Sequence, residues 1–324
     1  MPAVESDPGW REPIAGLRRR RAQRQLSRDD YWTAMARRHQ ELRDYQDLLQ
    51  ESLAERVVIE RDRIVLDLSD GTRWTWPPGD LRAAPVVVLN DGYYEPVELQ
   101  MLTALMPQQG TALDVGANLG WYSVHLAREG GEGARVYAFE PIQATFDVLE
   151  ANVRLNGLVD RVIPRRIALG DSAGWADFYT PAVTGSVAAS RRQLLPIEPQ
   201  LVERCTVQTL DEFAGRESLA DIALIKCDVE GGELAFLRGA TATLASQRPI
   251  LMIELLRKWS AAFGYQPSTA VDLLASLDYR CHIARGAELV EVQHIAEDAT
   301  ETNYFFVPAE KIRDVVETLA SAAT

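Results

Sequence analysis

The sequence predicts an α/β chain organised as a Rossmann-like, doubly wound, mostly parallel sheet, and three observations predict it. From Thr111 onward, short apolar runs alternate with amphipathic stretches, the pattern of strands covered on both faces by helices. The first run ends in "LDVGANLG", where an apolar strand breaks at Gly116 and a helical pattern restarts after Gly120. A later run, "IALIKCD", ends the same way in "VEGGE". In such sheets ligands bind beyond the carboxyl ends of the strands, where the strand order reverses.

Taken in order, residues 1–27 hold the arginine run Arg18–Arg21 and are expected to be a solvated, disordered leader rather than an arm for an acidic partner. Residues 28–91 are expected to form a helix and a β-hairpin appendage. Ser27 is placed to cap the helix, with Asp29 and Asp30 in its first turn. Tyr31, Met35, Leu42, Tyr45 and Leu49 recur near helical spacing, which suits a dimerisation or lid helix and equally one packed on its own domain. Alternating apolar residues around Asp70-Gly71 predict a tight hairpin. The run "APVVVL" reads as a buried strand. Residues 92–324 are expected to form the main domain, entered through a helix over "YYEPVELQMLTALMPQQG". Strands are expected at "TALDVG", "RVYAFE", "RVIPRRIAL", "IALIKCD", "PILMIEL", "YRCHIA" and "NYFFVP". The principal helices are expected at "PIQATFDVLEANVRLNG" and "GELAFLRGATATLASQ". The last two strands are joined by a loop, which predicts an antiparallel pair closing the sheet.

Composition narrows the function. The chain has 324 residues, 47% of them hydrophobic, enough for a sizeable core, and its net charge is −13. A chain this acidic lacks the basic footprint of nucleic-acid binding, so a small-molecule acceptor is expected and no nucleic acid. Three widely spaced cysteines, Cys205, Cys227 and Cys281, give neither a metal-finger spacing nor a disulfide framework, and a cytoplasmic location is expected. No apolar run reaches membrane-spanning length, and "MPAVESDPGW" carries no hydrophobic signal core. Lysine occurs only at 226, 258 and 311 while arginine is abundant, a bias expected of a bacterial chain.

The loop after the first strand predicts a nucleotide-like cofactor. Gly116 and Gly120 permit a sharp turn and close approach of backbone to ligand, and the following helix offers its unpaired N–H groups. Glu140, twenty-six residues after Asp114, ends the second strand, where an acid can hold ribose hydroxyls. Gly116-Ala117-Asn118-Leu119-Gly120 lacks the middle glycine of G-x-G-x-x-G that admits a pyrophosphate. Asp114 also favours a cationic amino-acid moiety over phosphates, so S-adenosylmethionine is expected. In the second constellation, Lys226 interrupts an apolar strand and shares a face with Asp228, with Glu230 next on the rim. A buried lysine needs a partner, so the cluster is either acid–base machinery or a structural ion pair; the two are compatible.

"YYEP", "LDVGANLGWYSV", "YAFEP", "IALGD", "IKCDVEGGE" with "LRGA", and "PILMIEL", in that order, resemble the FkbM family of S-adenosylmethionine-dependent methyltransferases over Gly92 to Pro308. The resemblance implies a class I methyltransferase fold, a seven-stranded sheet with an antiparallel last strand. It also implies methyl transfer, usually to a hydroxyl of a sugar or secondary metabolite and in some relatives to nitrogen. Carried over by position, Asp114, Gly116, Ala117, Asn118 and Gly120 would line the methionine part, Glu140 with Pro141 the ribose, and Ala168 and Leu169 the adenine. Asp228 and Glu230 would lie beside the sulfonium, and Tyr94 and Glu95 would close over the cofactor. An adenine-side aspartate is not obvious in the sequence, and Asp171 is a candidate for it.

A hydroxyl acceptor must lose its proton, which makes Asp228, Glu230 and Glu254 candidate bases, with Lys226 beside them and His125 and His282 behind. His125 is expected to pack against Trp121. Asp228 and Glu254 end neighbouring strands where catechol-type methyltransferases hold Mg²⁺, but two ligands are too few and no metal is expected. Methylation of an amine or peptide nitrogen, and a non-catalytic scaffold, stand as alternatives. The absence of a D-P-P-[YF] motif at 228–231 disfavours a base amine as acceptor. The acceptor pocket is expected from 180–199, 256–267 and the N-terminal helix, with Arg191 and Arg192 suited to a carboxylate or phosphate. A homodimer through that helix is also expected.

Overall fold

The computed structural model describes residues 12–77, 79–80, 82–182, 188–195, 199–296 and 299–322. Two helices open it, α1 (Ile14–Ala22) and α2 (Arg28–Glu51). Of the expected leader, residues 1–11 lie outside the described residues, and the arginine run lies in helix α1 with Arg18, Arg19 and Arg21 exposed to solvent. The Ser27 side chain accepts the Asp30 N–H at 3.0 Å, capping α2 as its sequence predicts. Tyr45 and Leu49 of α2 pack on the main core, while Trp32 and Leu42 stay exposed.

Strands β1 (Ala54–Ile59), β2 (Ile64–Leu68) and β3 (Arg73–Thr75) form an antiparallel sheet with its turn at Asp70-Gly71. It is docked, not appended: Leu66 and Trp74 are fully buried in the same cluster as the main-sheet residues Val136 and Ala138. "APVVVL" is not a strand but belongs to helix α3 (Ala84–Asp91), with Pro85 in its first turn. A short buried apolar run has no periodicity to separate the two states, and proline in the first turn starts a helix. Helix α4 (Pro96–Ala104) follows.

The main domain runs β4 (Gln109–Val115), α5 (Trp121–Glu129), β5 (Gly133–Phe139), α6 (Gln143–Leu155), β6 (Val162–Arg165), β7 (Ala168–Leu169), β8 (Gly174–Pro181) and β9 (Gln200–Gln208). It continues α7 (Leu210–Glu217), β10 (Ile222–Cys227), α8 (Glu233–Arg238), α9 (Thr241–Gln247), β11 (Ile250–Glu254), α10 (Arg257–Ala262) and α11 (Pro267–Ser276). The chain ends β12 (Tyr279–Arg285), β13 (Glu288–Glu291), β14 (Asn303–Pro308) and α12 (Ile312–Ala322). The side chains of Asn152 in α6 and of Asn156, which caps it, accept the Thr75 and Arg73 N–H groups at 2.9 Å each, which fixes β3 on α6.

The sheet order is β13-β12-β14-β11-β10-β4-β5-β6. Strands β11, β10, β4, β5 and β6 pair in parallel, and β14 is antiparallel to both of its neighbours. This is the expected arrangement with a reversed last strand, extended to eight strands because "ELVE", read as loop, turns back as edge strand β13. "RVIPRRIAL" divides: β6 stays in the main sheet, and β7 leaves it to pair with β9 in a ribbon with β8. Alternation splits the core between the two faces, with Ala112, Leu224 and Met252 on one and Leu113, Ile225 and Ile253 on the other. Among the described residues, no helix is long and apolar enough to cross a membrane.

The order reverses at β4, whose neighbours are β5 and β10, so the loops after these strands open a crevice at their carboxyl ends.

Candidate active site

The loop after β4 turns through Gly116 at φ +77°, Asn118 at +49° and Gly120 at +88°. A Cβ on Gly116 would lie 1.8 Å from the Asp228 carbonyl oxygen, and one on Gly120 would lie 2.5 Å from Leu149 Cδ1. These glycines are therefore demanded by the packing of protein on protein, where the sequence suggested the approach of a ligand. The loop is pinned from β5: Gly116 and Ala117 donate N–H bonds to the Phe139 carbonyl at 3.1 and 2.9 Å. Asn118 donates to Glu140 Oε2 at 3.1 Å, and Ile142 donates to Glu140 Oε1 at 2.9 Å. Burial pushes the Glu140 carboxyl up to about 7.

Lys226 holds the two rims together. It pairs in register with Asp114 across β10 and β4. Its Nζ lies 3.6 Å from Asp114 Oδ1 and 3.4 Å from Asp228 Oδ2, and donates to the Gly116 carbonyl at 2.9 Å. It also sits 5.4 Å from the centre of the Tyr122 ring. Burial alone would favour a neutral amine, but Asp228 and Asp114 outweigh it and hold the ammonium above its usual range. Asp114 is fully buried, accepts from Ser123 Oγ at 2.6 Å, and stays behind the loop.

Asp228 and Glu230 follow β10, and Glu254 ends β11. One carboxylate oxygen from each lies within 4.8 Å of the others. Glu230 takes φ +53°, a left-handed backbone that turns its side chain into the crowd, and its Oε2 is buried with no hydrogen-bond partner among the described residues. Burial first, then the Asp228 charge, pushes Glu230 up to about 9. Burial, then the charges of Asp228 and Glu230, raises Glu254 well above the carboxylate range. Beneath them, Glu233 accepts from the Val229 and Gly231 N–H groups and from the Tyr265 hydroxyl, and burial carries it to about 7.

A cavity of about 170 Å³ lies over these rims. Tyr94, Glu95, Gly116, Ala117, Asn118, Glu140, Pro141, Ala168, Leu169, Lys226, Asp228, Glu230 and Glu254 all line it. Asp114 and Gly120 do not: the first is turned toward Lys226 and Ser123, the second packs on Leu149 at the start of α5. Tyr94 packs edge-on against Trp121 with ring centres 5.7 Å apart, and Tyr122 donates to Glu95 at 2.6 Å. Trp121, Tyr122 and Phe178 also line the cavity without having been singled out from the sequence, as does Arg191, which the sequence assigned to the acceptor. Trp121 and Tyr122 open α5 directly after the glycine loop, so its strand-end position was the available signal. His125 packs as expected, its Nδ1 2.8 Å from the Trp121 carbonyl oxygen and its Nε2 2.9 Å from Asp70. His282 and Asp171 lie off the cavity. Of segment 180–199, residues 183–187 and 196–198 lie outside the described residues.

The donor set selects among ligands. Five carboxylates, Glu95, Glu140, Asp228, Glu230 and Glu254, face the cavity against Lys226 and Arg191. Such a wall suits a ligand carrying positive charge and ribose hydroxyls, and would repel a pyrophosphate. The same set bears on Mg²⁺: Glu230 supplies the third oxygen that two strand ends lacked, so Asp228, Glu230 and Glu254 fit a hard divalent ion in number and type.

The family model described as the methyltransferase FkbM domain matches residues 114–281, just over half of the chain. The chain is 28% identical over 162 residues to methyltransferase sdnD of Sordaria araneosa, a match covering 42% of this chain and 62% of that protein. It is 33% identical over 136 residues to the hexuronic acid methyltransferase AglP of Haloferax volcanii, covering 41% and 51%. The solved FkbM methyltransferase of Methylobacillus flagellatus is similar at 18% identity with a TM-score of 0.39, over 62% of this chain and 44% of that one. The chain thus spans about three fifths of the first relative's length and about half of the second's.

Proposed function

Since the chain belongs to the FkbM methyltransferase family, we propose that it transfers a methyl group from S-adenosylmethionine to a hydroxyl of a small molecule, a sugar or secondary metabolite. The observation that carries the reading is the acidic cavity at the point of strand reversal, with Asp228, Glu230 and Glu254 crowded on its rim. The cofactor, when bound, supplies a methyl already activated on a sulfonium. Gly116, Ala117 and Asn118 would hold its methionine end, Glu140 and Pro141 its ribose, and Ala168 and Leu169 its adenine, with Tyr94 and Glu95 above. Asp114 serves this site through Lys226 and the loop rather than by contact.

The chain's remaining work is to orient the acceptor and remove its proton. Glu230 Oε2 is the atom best placed to receive that proton, being buried and without a partner. In the ligand-free chain its raised affinity keeps it protonated at neutral pH, and a cation entering the cavity favours its ionised form. A neutral amine would not need such a base, which favours oxygen as the acceptor atom. AglP, named for a hexuronic acid, is in line with a sugar acceptor.

Calorimetric titration of S-adenosylhomocysteine, beside a transfer assay with hydroxylated acceptors, tests the reading. The wild type should bind, and Glu230→Gln should keep that binding while transfer falls about 100-fold or more. A folded protein that takes up no S-adenosylhomocysteine overturns it.

A further inference from the structure

Beside the cofactor cavity lies a second, more open hollow of about 440 Å³, walled by Arg191, Arg192 and Arg238 together with Trp175, Tyr179 and Phe263. Arg191 lines both spaces, and the second begins at Gly231, the residue after Glu230. We propose that this groove receives the acceptor and selects one that carries an oxyanion, a carboxylate or a phosphate, on the ring whose hydroxyl is methylated. The inference rests on the methyltransferase reading and names its substrate class.

Four observations support it. Among the described residues, no ion pair or side-chain hydrogen bond occupies the guanidinium groups of Arg191, Arg192 or Arg238, although Asp171 and Asp177 stand in the same wall. In a chain of net charge −13, three arginines with no acidic partner among the described residues in one hollow form a local exception, and without them the field of the chain would repel an anion. Arg192 lies 5.7 Å from the centre of the Phe263 ring, and a guanidinium can give a carboxylate or phosphate two parallel bonds. Trp175 is 65% exposed and offers an aromatic face on which a ring can rest.

The groove is also tied to the reactive rim. Ser190, fully buried, donates from Oγ to the Glu230 carbonyl at 2.7 Å. Its backbone exchanges bonds of 2.8 and 3.1 Å with Tyr179 of β8. The turn bearing Arg191 and Arg192 is thereby stitched to the carboxylate loop on one side and the ribbon on the other. The combined site is polar end to end: its acidic end would repel the acceptor's anion and its basic end would hold it. That arrangement fixes which hydroxyl reaches Glu230.

The test uses the full chain and three ring compounds of similar size: methyl β-D-glucuronide, glucose 6-phosphate and the neutral methyl β-D-glucoside. Binding is read by saturation-transfer NMR, with and without S-adenosylhomocysteine. We expect at least one anionic compound to bind about tenfold or more tighter than the glucoside. The better of the two separates carboxylate from phosphate as the group recognised. In Arg192→Gln/Arg238→Gln, whose residues are exposed and line only the groove, the preference should shrink below about threefold while S-adenosylhomocysteine binds as in the wild type. Equal affinities, no binding by any of the three, or a preference that survives in the variant overturns the proposal. A chain that binds the glucuronide but not S-adenosylhomocysteine keeps the anion groove and loses the methyltransferase reading.

Discussion

Replacing Lys226 with methionine removes the one cation that faces both Asp114 and Asp228 while keeping most of the side-chain volume. At the observed 3.6 and 3.4 Å, and with an effective dielectric near 20, each attraction amounts to about 4–5 kcal/mol before desolvation. The Asp228 side chain is 30% exposed, so water screens its share; Asp114, at 1%, has no such relief. Burying the ammonium cancels much of the gross attraction, but Lys226→Met leaves Asp114 charged and alone in the core, a loss of about 3–5 kcal/mol. Urea unfolding followed by tryptophan fluorescence should report that loss, and the melting temperature should fall by roughly 4–7 °C. The sign with pH is fixed as well. The folded chain raises the lysine's proton affinity, so its contribution is complete below the unfolded value of 10.5 and is lost only in stronger alkali. The penalty should therefore be flat between pH 6 and 9. Adding Asp114→Asn to Lys226→Met should recover about half of the loss, because the stranded charge is gone. A single-variant loss below about 1 kcal/mol, or two losses that simply add, would refute the clamp.

Further predictions follow from neighbouring groups. Gly116→Ala should destabilise the chain by about 3 kcal/mol or more in the same assay, since its Cβ would meet the Asp228 carbonyl oxygen at 1.8 Å and φ is +77°. Glu140 is raised from 4.5 to about 7 on folding, so its protonated form stabilises the native state below pH 4.5 and that contribution disappears as pH rises to 7. Stability of the ligand-free protein measured from pH 5 to 8 should fall less steeply in Glu140→Gln, by about 3 kcal/mol over the range. Methyl transfer should survive dialysis against EDTA, because the Lys226 ammonium, 3.4 Å from Asp228 Oδ2, already offsets charge at this rim; abolition by EDTA and rescue by Mg²⁺ would make the cluster a metal site.

What the sequence disclosed, and what it withheld, follows from how far each effect reaches along the chain. The glycine loop was legible because strand, break and helix are consecutive, and Glu140 because it closes the next strand. Glu254 was legible by the same end-of-strand argument. Asp114 was not: its role depends on Lys226, its register partner on a strand more than a hundred residues away, and pairing order is not written locally. The third rim carboxylate was missed as a metal ligand for a backbone reason, since Glu230 reaches Asp228 and Glu254 only through a left-handed φ that non-glycine residues rarely take. "APVVVL" failed because a run of apolar residues, five of its six buried, has no polar face to set a period.

The same distinction explains why the cofactor side was easier to read than the acceptor side. The residues proposed for the cofactor lie at strand ends, whose positions the parallel sheet fixes; those proposed for the acceptor lie on the ribbon β8–β9 and the turn at Ser190, which leave that sheet. There the informative feature is a bond between distant segments, Ser190 Oγ to the Glu230 carbonyl, which sets the arginines against the carboxylates. Removing it with Ser190→Ala deletes the stitch without touching either charge cluster. If the groove and rim act as one site, Ser190→Ala should weaken binding of the anionic ring compounds and leave the affinity for S-adenosylhomocysteine near its wild-type value. A loss of both affinities together would mean that the bond supports the cavity itself, and the separation of an acceptor groove from a cofactor cavity would have to be abandoned.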